Sequence, residues 1–217
     1  RGGVVIPGVT MGLLQVGWLG LKSYLATYFL SLALGFEAEP LTVSFILLAL
    51  GWTALVSIIA LYGVRLIGRV GTYLPLLLVV ATAVIAGLSA DGATEFTAWK
   101  ETSRLWTCTF AFDLVFSMMS SGSCAASDYA RHNRSRSDVL WAALVGIVVT
   151  FFVFYSLAVL VIAGVNGNDP GLQSVDLGKA ILSAAGGAAT VFLVIFAVAP
   201  IPSGTFSVFI YLDSFTT

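Results

Sequence analysis

Gln15, Trp18 and Lys22 stand three and then four residues apart in the stretch LLQVGWLGLKSY. On a helix that spacing puts an amide, an indole and an ammonium on one face. An indole offers a flat surface for stacking, and an amide offers both a donor and an acceptor to the edge of a planar ring. Gly12, Gly17 and Gly20 surround the three, and glycine on a membrane helix lets a ligand or another helix come close. The plainer reading of the same residues is packing, with Gln15 bonded between helices and Trp18 as a filler aromatic.

Two further stretches carry oxygen-rich chemistry. FDLVFSMMSSGSCAASDYAR, residues 112–131, crowds Ser117, Ser120, Ser121, Gly122 and Ser123 into seven positions. Such a run weakens a helix and can turn backbone groups toward a cavity, or it can let helices pack closely through small residues. In APIPSGTFS, residues 199–207, Pro200 and Pro202 free backbone carbonyls while Ser203, Thr205 and Ser207 add hydroxyls. Carbonyls and hydroxyls together suit a bare Na⁺, which makes Ser203 and Thr205 candidate cation ligands. The alternative is a simple proline kink.

Lys22 and Asp113 are the clearest charges inside apolar segments. If the first span runs outward and the fourth inward, Lys22 lies about 6 Å outward of Trp18 and Asp113 about 6 Å outward of Ser117. A shared depth for Trp18 and Ser117 then predicts a Lys22–Asp113 salt bridge. The alternative is that each charge snorkels separately to the outer interface.

The elements that must hold these groups are apolar helices. The chain has 217 residues, 59% hydrophobic and 10% charged, with mean hydropathy +1.00. A soluble domain carries about 25% charge, so the composition predicts an all-α polytopic membrane protein. Six spans are expected at 4–34, 41–63, 70–89, 105–126, 138–165 and 180–212, forming one transmembrane domain over 1–217. The first, fifth and sixth exceed what a bilayer needs, which predicts tilt, kinks or turns outside it. Pro40 suits the first turn of the second span, Ser137 or Asp138 suits a helix cap, and Asn166–Pro170 reads as a loop.

Charges in the connections alternate. One set holds six basic residues, Arg1, Arg65, Arg69, Arg131, Arg134 and Arg136, and the other only Lys100, Arg104 and Lys179. The positive-inside rule then puts Arg1 in the cytoplasm. The net charge of −1 gives no basic field for nucleic acid. Cys108 and Cys124 lie sixteen residues apart, roughly 24 Å on a helix, beyond disulfide reach. There is no metal-ligand spacing, and no nucleophile or base pair that argues for an enzyme. Without an initiating Met, and with Arg1 close to an apolar run, the chain reads as a fragment.

LLQVGWLG, followed about a hundred residues later by SMMSSGSCAASDYARHNRSRSDVL, resembles the nucleobase:cation symporter family of cytosine, purine, allantoin and hydantoin permeases. The resemblance is greatest to the cytosine permease branch. It implies a leucine-transporter-like inverted-repeat fold of about twelve spans, the present six matching the third to the eighth. It also implies that Trp18 stacks on one face of the substrate ring and Gln15 bonds its edge. Ser117, Ser121 and Gly122 would line the site, with Met118 where the family has a second aromatic. Thr205 lies nearest to an asparagine that the family's eighth span supplies. Ser203 matches the first of two hydroxyl residues at its sodium site, and Gly204 stands at the second.

The expected function is a secondary active transporter that imports a nucleobase or related planar heterocycle with Na⁺ or H⁺ by alternating access. It would lie in the inner membrane of a bacterium and use no cofactor beyond a coupling ion. The rival readings are an amino-acid or polyamine permease of the same broad fold, and a membrane scaffold that transports nothing.

Overall fold

The computed structural model describes residues 2–36, 38–62, 64–97, 105, 108–109, 112, 135–172 and 175–216. Among these the regular structure is entirely helical. The chain packs as two compact units: Arg1–Phe96 together with Leu157–Thr217, and Thr97–Ser156.

Helix α1, Gly2–Leu34, is continuous for 33 residues. It stops at Gly35, whose φ of 72° is the left-handed conformation that glycine adopts without penalty. The Gly35 N–H then donates to Leu32 O and the Phe36 N–H to Ser31 O, the paired bonds of a Schellman cap. Helix α2, Val43–Leu61, starts at Thr42, whose Oγ1 accepts from Phe45 N at 3.4 Å. Pro40 therefore sits in the turn ahead of the helix and not inside its first turn. Helix α3, Val64–Leu88, begins six residues before the expected 70 and takes in Arg65 and Arg69, with Pro75 inside it. The short helix α4, Ala90–Ala93, follows.

The fifth expected span is one apolar stretch, Arg136–Asn168. It comprises α5 (Arg136–Ala143), a π-helical turn (Leu144–Val149) and α6 (Thr150–Asn168). The cap is Ser135, in extended geometry, with its Oγ accepting from Asp138 N at 3.2 Å. Ser137 and Asp138 already lie within the helix. Thr150 Oγ1 donates to Val145 O, five residues back, in keeping with the π register. Asn166, Gly167 and Asn168, expected as a loop, continue the helix instead. The reason is packing. A Cβ on Gly164 would strike the Ser89 carbonyl, and one on Gly167 would strike the Gly92 carbonyl. The glycines are there to let α6 reach the end of α3 and α4, not to turn the chain.

The sixth expected span is three helices: α7 (Leu177–Ala185), α8 (Ala189–Val198) and α9 (Ile201–Thr216). Asp176 caps α7, accepting from Gly178 N at 2.9 Å and Lys179 N at 3.3 Å. Gly186, at φ 49°, ends it. Pro200, which lacks an N–H, falls between α8 and α9, and Pro202 lies in the first turn of α9. Trp52 on α2 reaches this break and donates from Nε1 to Ala197 O at 3.2 Å.

Among the described residues, four stretches are long and apolar enough to cross a membrane: Val43–Leu61, Gly71–Leu88, Arg136–Asn168 and Leu177–Leu212. The polar side chains of helix α1 are turned inward. Gln15, Ser23, Thr27 and Ser31 are buried, while Leu13, Leu14, Val16, Leu21 and Leu25 are exposed. A helix in lipid needs that arrangement. The fourth expected span, 105–126, falls almost wholly outside the described residues.

Within the first unit, Phe29, Ile85, Val161, Val165, Ile181, Leu193 and Phe196 form a core with Ala81, Ala86, Ala180, Ala189 and Ala197. The alanines let helices approach where lipid removes the hydrophobic drive for them to associate. A second cluster, Ala26, Trp52, Val56 and Ile201, joins α1, α2 and α9. Leu19 and Val208, which pack against this cluster, also line the site described next.

Candidate functional site

A cleft of about 390 Å³ opens between α1, α2 and α9. Val16, Leu19, Ile58, Leu61, Val208 and Leu212 give it apolar walls, and Gln15, Ser57, Ser207 and Tyr211 give it polar points. Small-molecule sites have this make-up, with a few placed polar groups on a hydrophobic surface.

The polar points are set by their helices. Gln15 is 8% exposed, so its amide is held in the cleft wall away from bulk water. Ser57 Oγ donates to Thr53 O at 2.8 Å and Ser207 Oγ to Ser203 O at 3.1 Å. Each hydroxyl proton is thus spent on its own helix, which leaves each oxygen as an acceptor. Behind Ser57, Thr53 Oγ1 donates to Ala49 O at 2.8 Å. Ser23 Oγ lies 3.0 Å from Thr53 Oγ1 and must then be the donor, which ties α1 to α2.

Beside the cleft, Lys22 crosses from α1 to α9. Its Nζ donates to Ser203 O at 2.9 Å and to Ser207 Oγ at 2.8 Å. Gln15 lines the same cleft as Ser207, and Lys22 bonds Ser207 directly, in keeping with two residues on one helix face. Trp18, between them in sequence, is half-buried and is not among the residues lining this cleft.

The expected cation ligands take separate roles. Ser203 supplies its carbonyl to Lys22, while its own Oγ donates to Pro200 O at 3.0 Å. Thr205 is fully buried, donates to Ile201 O at 2.7 Å and does not line the cleft. Gly204 lies under Trp52: a Cβ there would be 2.9 Å from Trp52 Cη2 and 3.3 Å from Val56 Cγ1. Any hydroxyl residue at this position would collide with the indole. Asp113, Ser117, Met118, Ser121 and Gly122 lie outside the described residues, and with them the expected Lys22–Asp113 pair and the facing wall of serines.

Sequence reasoning passed over Ser57, Tyr211 and Trp52. Thr53 and Ser57, one turn apart on a very apolar helix, were the available signal for a polar stripe facing a partner. For Trp52 no local signal existed, because its partner carbonyl lies 145 residues away.

No family model, no curated protein and no solved structure matches this chain.

Proposed function

We propose that the chain belongs to a secondary active transporter that carries a nucleobase or related planar heterocycle across a membrane with Na⁺ or H⁺. The observation that carries this reading is Gln15, an amide withdrawn from water into an apolar cleft of about 390 Å³. An amide so placed can give and take a hydrogen bond at the edge of a ring, and the aliphatic walls can hold the ring's faces. Ser57 Oγ, whose proton goes to Thr53 O, lines the cleft as an acceptor and favours a substrate with ring N–H groups. The broken α8–α9 stretch supports a transport cycle, since interrupted helices at mid-membrane let one bundle move against another. The inverted-repeat fold of about twelve spans, the cytoplasmic side for Arg1 and the bacterial inner membrane belong to the same proposal and rest on the family resemblance. So does the place of Trp18 against the substrate ring.

The test is a thermal-shift screen of the purified protein against cytosine, purines, allantoin, hydantoins and amino acids, with and without Na⁺. A ligand that binds the folded state raises the apparent Tm by mass action. A selective shift with one heterocycle class supports the reading. A shift with an amino acid or polyamine and with no heterocycle would transfer it to the rival permease class. No shift with any of them favours a scaffold.

A further inference from the structure

We infer that the Lys22 ammonium is a built-in cation, seated on the oxygens of α9 where a coupling Na⁺ would otherwise bind. The inference rests on the transporter reading for its consequence, uptake without Na⁺, but its structural basis is separate. Two oxygens from one helix turn converge on one Nζ: Ser203 O at 2.9 Å and Ser207 Oγ at 2.8 Å. Ser207 is 1% exposed, and its hydroxyl proton is committed to Ser203 O at 3.1 Å. Its oxygen can therefore offer only lone pairs to whatever sits in front of it. A carbonyl and a lone-pair hydroxyl just beyond a proline break make a cation seat, and the group in it comes from α1. A metal ion at the same point would meet both a filled seat and a like charge. Gly204 adds a second reason. The residue after Ser203 carries no oxygen of its own, and Trp52 closes the space where one would stand. The chain thus supplies the charge covalently and gives up part of a metal's ligand set.

The experiment measures melting of the purified protein in NaCl and in choline chloride at equal ionic strength, with no heterocycle present. Its result therefore does not depend on whether the substrate class is right, and a failed heterocycle screen does not touch it. The wild type should melt identically in the two salts. Lys22→Ala empties the seat and should gain a Na⁺-specific rise of about 5–10 °C when Na⁺ exceeds its Kd roughly 100-fold. Adding Ser207→Ala should abolish that rise. If Lys22→Ala does not survive purification in choline, its recovery in Na⁺ reads the same property. A wild type stabilised by Na⁺ over choline would overturn the inference. So would a Lys22→Ala protein that behaves alike in both salts, whether folded or not, because a lysine with only a structural role predicts that result.

Discussion

Replacing Gly204 by alanine tests how α9 is seated against α2. The added Cβ would lie 2.9 Å from Trp52 Cη2 and 3.3 Å from Val56 Cγ1. The first distance is well inside van der Waals contact, so something must move. The indole cannot swing away freely, because its far side is held by the Nε1 bond to Ala197 O at 3.2 Å and the ring is 6% exposed. Either that bond breaks or α9 shifts outward. Overpacking of this kind costs about 1–3 kcal/mol, and each kcal/mol lowers Tm by about 2–4 °C in a chain of this size. Trp52→Phe alone loses the indole bond, about 1 kcal/mol, together with some packing. In the double variant the smaller ring leaves room for the new methyl, so the two costs should not add. A favourable coupling of about 0.5–3 kcal/mol is expected. The assay is thermal unfolding of the four proteins in one detergent, followed by circular dichroism. Gly204→Ala melting like wild type, or strictly additive effects, would show that the ring and the glycine are not in contact.

Gly167→Ala should be worse than Gly204→Ala, because its methyl meets the Gly92 backbone carbonyl and not a side chain; a loss above about 3 kcal/mol is expected, and an unchanged Tm would mean that α6 does not approach α4 as described. Tyr28→Phe removes the bond that Tyr28 Oη donates to Asp176 Oδ2 at 2.5 Å, and should cost about 1.5–3 kcal/mol as a bond to a charged group. Asp176→Ala removes that bond and also the α7 cap on Gly178 N and Lys179 N, so it should cost about 0.5–2 kcal/mol more; equal Tm values for the two variants would contradict this division.

The helices were legible where a single property decided them. Val43–Leu61 and Gly71–Leu88 are uninterrupted apolar runs, and hydropathy alone finds such runs. Their ends were less legible because capping depends on backbone geometry: Ser135, Ser137 and Asp138 are all plausible caps by type, and only the extended backbone of Ser135 selects it. Asp169 and Pro170 do turn the chain, but Asn166, Gly167 and Asn168 misled because such residues are turn formers in isolation. The close passage of Ser89 and Gly92, more than seventy residues earlier, sets their conformation instead. Gly186 was equally hard to read, being one small residue among many in SAAGGAAT. For the site, helical spacing placed Gln15 and Lys22 on one face. Spacing fixes depth and face within a helix but not which neighbour the face meets, so the bond from Lys22 to α9 was not legible. Ser207 was recognised as a source of oxygen near the prolines, and its role as a lysine partner needed the packing of α1 on α9.

The claim that Gln15 reads the edge of a planar substrate is tested most directly by equilibrium binding of the screen's best heterocycle to wild type and to Gln15→Ala. Losing one buried hydrogen bond and leaving its partner unpaired costs about 1–3 kcal/mol, so Kd should rise about 5- to 150-fold while Tm without ligand changes little. Equal affinity in the two folded proteins would contradict the assignment of this cleft as the substrate site.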